Sequence, residues 1–181
     1  MDRITIAPKD FVFDQSTISK RWLLLTAGEF KPGKFNSMTI SWGSVGEIWN
    51  KTFFQIVVRP QRYTRSFLDS GDYFTLCVFP EARKPALSLL GAKSGRDGDK
   101  IKESGLTPIA SAIAPAPGYE EAELIVECKK MYWQDIDPAH FLDPGIMVNY
   151  PKQDFHRAYF GEVVNISGIA KYSREGDGAR S

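Results

Sequence analysis

The chain has 181 residues, 43% of them hydrophobic and 25% charged, with a formal net charge of +1 at pH 7. That length supports one domain with a substantial core and is marginal for two. Near-neutral charge excludes a protein that lives on nucleic-acid phosphates or an acidic membrane surface, so any positive site must be local. Strand-like runs come first along the chain, at residues 21–28 (RWLLLTAG), 36–46 (NSMTISWGSVG), 53–60 (FFQIVVRP) and 73–80 (YFTLCVFP). The continuous LLL and IVV triplets predict strands buried on both faces, whereas the second run alternates in part.

Between the third and fourth runs, Phe67 and Leu68 followed by Gly71 predict a helix of about two turns, with Thr64 in its first turn. After Pro80, helical spacing of Ala86, Leu89 and Leu90 predicts another helix, with Gly91 as its stop. Residues 93–100 (KSGRDGDK) read as a charged loop and residues 107–118 as a Pro/Ala-rich connector. Two further strand runs, 122–133 and 159–172, flank a turn or short helix at 135–145 (DIDPAHFLDPG). The tail 173–181 (SREGDGARS) is expected to be unordered. No repeat or domain boundary interrupts residues 1–181. Strands dominate without the regular strand–helix alternation of a doubly wound sheet. The expected fold is mainly β: one closed or partly closed antiparallel barrel with short helical insertions.

The start of the chain carries no apolar leader-like stretch, and no run approaches the ~18 apolar residues of a membrane span. Cys77 and Cys128 lie in apolar runs and form no C-x-x-C pair, which favours buried free thiols in a reducing compartment. A cytoplasmic protein with no membrane or nucleic-acid partner is expected. Two histidines and no cysteine pairs leave no zinc spacing, and no G-x-S-x-G or nucleophilic triad is present.

Two basic stretches could hold an anion. Arg59-Pro60-Gln61-Arg62-Tyr63-Thr64 runs from a strand end into a helix start, where unpaired N–H groups and arginine donors converge. Its alternative reading is two solvated charges and a capping threonine. Ser94-Gly95-Arg96-Asp97-Gly98-Asp99-Lys100 could turn its amides around an anion, although it has neither Walker A nor EF-hand spacing. Alone, it is equally a solvated loop. His156, entering the last strand, could donate to an anionic ring or titrate near neutrality, while His140 reads as a turn residue. Trp42, Trp49, Tyr63 and Trp133 are by default core or interface residues.

In order, FNSMTISWGSVG, VVRPQRYT, YFTLCVF, KSGRDGDK and HRAYFGEVV resemble the flavin reductase-like, FMN-binding split-barrel family, over roughly residues 21–164. This family includes flavoredoxins and reductase components of two-component monooxygenases. The resemblance implies a Greek-key split barrel and an FMN cofactor lying along the strand with Asn36, Ser37, Met38, Thr39 and Ser41. A wall of aromatics and small polar groups suits both ends of a flavin ring. It assigns the FMN phosphate to Arg59, Arg62, Tyr63 and Thr64 on one side, and to Ser94, Gly95, Arg96 and Lys100 on the other. His156 matches a family histidine near flavin and nicotinamide, but Arg157 stands where some members carry a small or hydroxyl residue.

The implied activity is flavin reduction by hydride transfer from NADH or NADPH to flavin N5, in a homodimer, with a monooxygenase or redox protein as possible acceptor. With no G-x-G-x-x-G fold, the nicotinamide would stack on the exposed flavin. Trp133 and residues 135–145 are the expected interface or lid. The alternatives are a flavoredoxin-like FMN electron carrier reduced by a protein, and a split barrel that has lost flavin for another anionic ligand.

Overall fold

The computed structural model describes residues 1–174. In chain order the elements are β1 (Ile4–Thr5), α1 (Ser16–Lys20), β2 (Leu23–Gly28), β3 (Phe35–Ile40), β4 (Gly43–Ile48), β5 (Lys51–Val58), α2 (Thr64–Ser70) and β6 (Tyr73–Val78). There follow α3 (Lys84–Ala92), α4 (Lys100–Ser104), β7 (Pro108–Ile109), β8 (Gly118–Tyr119), β9 (Leu124–Asp135) and β10 (Arg157–Gly168). Short 3-10 turns at Pro138–His140 and Pro144–Asn149 occupy the stretch between β9 and β10.

The main sheet runs β3-β2-β6-β9-β10-β5-β4, with β1 added to β10, and every pairing is antiparallel. Its two edges, β3 and β4, are joined by only Ser41 and Trp42 yet do not pair, so the barrel is split at that point. The run 36–46, expected as one strand, is thus two strands belonging to opposite edges. Nothing in its alternation marks the break, because both halves keep the period of two.

The triplet Leu23–Leu25 shows why continuous apolar runs signal double burial. Leu23 and Leu25 face the barrel core with Phe54, Ile56, Leu76, Val126 and Tyr159. Leu24 faces outward into a second core with Cys77, Leu87, Leu90, Tyr119 and Ile125, formed under α3. In β5 the pattern differs: Ile56 and Val58 are buried in the barrel, but Val57 lines an open cleft. Gly161 in β10 leaves room for the Phe74 ring and Cys128, since a Cβ there would lie 2.5 Å from Phe74 and 2.8 Å from Cys128.

α2 occupies the expected two turns and ends at Gly71. α3 buries Leu87 and Leu90, with Ala86 and Leu89 half-buried, and continues through Gly91 to Ala92. Gly91 is therefore a packing glycine rather than a stop: a Cβ there would meet Thr39 at 3.2 Å. The charged loop closes earlier than expected, because Asp99 accepts from the Lys102 N–H and starts α4 at Lys100. Trp49 and Asn50 both adopt positive φ (53° and 58°) between Ile48 and Lys51, a two-residue turn whose twist suits the β4–β5 hairpin.

Both cysteines are buried free thiols. Trp42, Trp49 and Trp133 are exposed rather than core residues. Of the tail expected to be unordered, Ser173 is buried and bridges Phe11, while residues 175–181 lie outside the described residues. Among the described residues, no helix is long and apolar enough to cross a membrane, and no His/Cys/Asp/Glu cluster has metal-binding form.

Candidate functional site

The split in the barrel opens a cleft of about 260 Å³, lined by Met38–Trp42, Val57, Arg59, Arg62 and His156. Beside it, a cavity of about 190 Å³ is lined by Asn36, Gln61, Arg62, Tyr63, Thr64, Ala92, Lys93, Ser94, Gly95 and Lys100. Arg62 lines both. The two hollows follow directly from topology: one is the gap between the sheet edges, the other the junction where β5 passes into α2 beneath the α3–α4 loop.

The small cavity contains the cations Arg62, Lys93 and Lys100 and no carboxylate. Lys93 is exposed and paired with Glu103 at 2.5 Å. Lys100 is 3% exposed, and its ammonium donates to the Leu90 and Lys93 carbonyl oxygens at 2.9 and 3.0 Å. Burial, with the Arg62 guanidinium adding to it, brings the Lys100 pKa down to about 8. Burial also lowers the Arg62 pKa, and among the described residues its guanidinium has neither a hydrogen-bond nor an ion-pair partner. One buried and one half-buried cation, mutually repelling, face a cavity lined by no carboxylate, and that charge arrangement suits an anion. A larger hollow of about 820 Å³ lies beyond Asn36, Tyr63 and Gly95, but there Asp99 offsets part of the charge of Lys100 and Lys102.

Gly95 sets the cavity wall. A Cβ there would fall 2.2 Å from Asn36 Oδ1 and 3.1 Å from Tyr63 Cδ1, so only glycine lets the loop lie against both. Asn36 Nδ2 in turn donates to Thr64 Oγ1 at 2.7 Å, fixing the start of α2 against β3. Ser94 Oγ accepts from the Arg96 N–H.

The cleft has a different character. Thr39 Oγ1 donates to the Leu87 carbonyl at 2.5 Å, while the Ser41 hydroxyl has no protein partner among the described residues. Trp42 is 45% exposed and sits 5.4 Å from the His156 ring. His156 Nδ1 is hydrogen-bonded to the Tyr150 hydroxyl at 2.9 Å. Burial, reinforced by Arg59, pushes the His156 pKa down to about 4, so the imidazole is neutral at pH 7 and does not titrate near neutrality. Arg59 donates to Asp154 Oδ2 at 2.6 Å and to the Asn149 carbonyl, and with Gln61 holds Asp154 at a pKa of about 2.

Several expected contacts are thereby relocated. Ser37 is fully enclosed, hydrogen-bonded to Thr26 and Tyr119, and lines neither hollow; strand alternation turns it toward the second core. Arg59 lines the cleft, already paired, rather than the cation-rich cavity. Arg96 lines neither: it lies over the Tyr63 ring at 4.6 Å and donates to the Gln61 carbonyl. Asn36, Arg62, Tyr63, Thr64, Ser94, Gly95 and Lys100 do meet in one cavity, and Met38, Thr39, Ser41 and His156 in the adjoining cleft. Sequence reasoning missed Val57, Trp42 and Tyr150. Val57 looked like core, and Tyr150 carried no motif.

Residues 16–175 match the family described as flavin reductase like domain, and the chain belongs to that family. No curated protein matches the sequence. Solved structures share the fold. A flavoredoxin from Methanosarcina acetivorans superposes with a TM-score of 0.65 at 19% identity, over 97% of this chain and 80% of that one. An FMN-binding domain of a flavin reductases-like enzyme from Shewanella baltica gives 0.64 at 16%, over 92% and 82%. The Streptomyces globisporus NADH:FAD oxidoreductase SgcE6, in complex with NAD and FAD fragments, gives 0.62 at 15%, over 82% and 74%. The chain is thus a mainly β, split-barrel member of the flavin reductase-like family.

Proposed function

We propose that this chain binds FMN, with the ring in the cleft at the barrel split and the phosphate in the cation-rich cavity, and catalyses flavin reduction by NAD(P)H. The observation that carries the reading is Arg62, a half-buried guanidinium that has no side-chain partner among the described residues and borders both hollows. The residues fit the cofactor: unbalanced positive charge and the Gly95 cradle at one end, Trp42, Met38 and the Ser41 hydroxyl, unpaired among the described residues, at the other. When bound, the flavin supplies the redox chemistry, accepting a hydride from the nicotinamide at N5. The protein's part is to anchor the phosphate, shape the wall and offer hydrogen bonds. Arg62 and the cavity amides hold the anion, and Lys100 adds positive field from behind while pinning the α3 end. His156, neutral, can donate without adding charge.

The test is an anaerobic visible spectrum of the protein with FMN, before and after NADH and NADPH. A protein-bound flavin spectrum that bleaches within seconds is expected. Absence of flavin binding would overturn the reading.

A second reading is an FMN electron carrier reduced by a protein. Leu142, Met147 and Val148 are exposed on the stretch leading into Tyr150, apolar surface that suits a protein partner near the cleft. Bound flavin bleached by dithionite but by neither nicotinamide would favour it. A homodimer belongs to either reading. Trp49 and Tyr132 lie 6.2 Å apart and Tyr132 and Phe160 5.7 Å apart, an aromatic cluster in which Trp49 and Tyr132 are exposed. Sedimentation should then give twice the chain mass. The two unpaired thiols support a reducing, cytoplasmic setting, where a monooxygenase or redox protein would be the acceptor.

A further inference from the structure

We propose that Tyr150 is a positioning residue that fixes the tautomer of His156, so that the imidazole presents its Nε2–H to the cleft. The inference rests on the proposed function, which puts the flavin and nicotinamide there. Tyr150 is 4% exposed, with its hydroxyl 2.9 Å from His156 Nδ1. A phenol is a far better proton donor than a neutral imidazole N–H, and burial raises the Tyr150 pKa further, so the phenol keeps its proton. The O–H therefore donates and Nδ1 accepts. A neutral imidazole has one N–H, which is then at Nε2.

The ring's neutrality follows from what faces it. Arg59 and Arg62 line the same cleft and oppose a further positive charge; Tyr150 occupies the Nδ1 lone pair. Among the described residues, Asp154 is the nearby anion favouring protonation, and its charge is already engaged by Arg59 and Gln61. Trp42 covers the ring from the remaining side at 5.4 Å. Nε2 itself has no protein partner among the described residues.

Tyr150 is itself held firmly. It stacks with Phe141 at 6.0 Å and 20°, meets Phe155 at 4.9 Å, and carries the Arg59 guanidinium 5.1 Å from its ring centre. The His156 backbone is fixed as well, because its carbonyl accepts from the Ile136 N–H at 2.9 Å. The stretch between β9 and β10 thus serves to aim one hydrogen bond. An Nε2–H suits a carbonyl oxygen, the chemistry shared by the nicotinamide carboxamide and the flavin pyrimidine ring. The opposite tautomer would turn a lone pair toward that oxygen.

The test is long-range ¹H–¹⁵N NMR of the flavin-free protein, which distinguishes the two imidazole tautomers by the shifts of the ring nitrogens. His140→Gln identifies the remaining signal as His156. The expected wild-type pattern is a single Nε2–H tautomer from pH 8 to pH 5. In Tyr150→Phe the proton should be shared between the nitrogens and the titration should move upward. NADH-dependent turnover should fall at unchanged FMN affinity. A wild-type proton on Nδ1, or a Tyr150→Phe protein with the His156 pattern unaltered, would overturn the proposal. If Tyr150→Phe does not fold, the wild-type pattern alone decides. Failure to bind FMN would overturn the cofactor reading and leave the tautomer measurement intact.

Discussion

Replacing Arg62 with methionine tests the anion site most directly, because the stem is kept and only the charged head is lost. Each charge-assisted hydrogen bond to a phosphate is worth ~1.5–3 kcal/mol. At roughly 1.4 kcal/mol per decade, loss of one such bond weakens FMN binding about 10- to 150-fold. Riboflavin, which lacks the phosphate, should lose far less, so the gap between the two ligands narrows in Arg62→Met. The flavin-free protein should respond in the opposite sense. Among the described residues Arg62 has no side-chain partner to lose, and its removal relieves the neighbouring Lys100. The Tm without flavin should therefore hold or rise, and the Lys100 pKa should climb from about 8 toward its ordinary value. Flavin fluorescence titrations read the two affinities, thermal melts the Tm, and ¹³C NMR of the Lys100 side chain its pKa. Equal loss for FMN and riboflavin, or a flavin-free protein that melts much earlier, would refute the assignment of Arg62 to the phosphate.

Gly95→Ala drives a Cβ toward Asn36 Oδ1 and should cost ~1–3 kcal/mol of stability while weakening FMN more than tenfold, as read by melts and titration. His156 gives the flavin-free protein a pH-dependent term. Its folded pKa of about 4 lies below the ordinary 6.5, so stability is complete above pH 6.5, declines as pH falls, and levels below pH 4. The full loss is about 3 kcal/mol. Urea melts at pH 7.5 and 4.5 should show that extra decline in wild type and not in His156→Gln. Buried Glu127 accepts from the Ala112, Ile113 and Ala114 N–H groups and from Asn165, so Glu127→Gln should destabilise by about 3 kcal/mol and speed amide exchange at those three residues.

The sequence makes the strands legible wherever packing is symmetrical. Leu23–Leu25 announce burial on both faces because neighbours arrive from the barrel and from α3 alike. It hides the split, because Ser41 and Trp42 continue the alternation of the strands they separate. α4 is hidden for another reason: five residues begun by an Asp99 cap read as part of a charged loop. Among site residues, chemistry was visible and direction was not. Arg62 and Arg96 look equivalent on the page, yet Tyr63 captures Arg96 and leaves Arg62 facing inward. Ser37 looks as available as Ser41 until Tyr119 arrives from a distant connector to close over it. Such outcomes depend on partners remote in sequence, which local pattern does not encode.

The pairing of β10 with β5 carries a consequence for biosynthesis. Arg157 lies opposite Val58, so His156 reaches Val57 and Arg59 only when β10 docks on a strand made long before it. Pairings of such sequence separation form slowly and late, after local hairpins such as β4–β5. On a ribosome, the cleft would remain without its histidine wall until residues 157–168 have emerged. Cofactor loading would then be an event of the finished chain, and premature stops within β10 should yield products that keep the residues of the cation-rich cavity but cannot assemble the cleft.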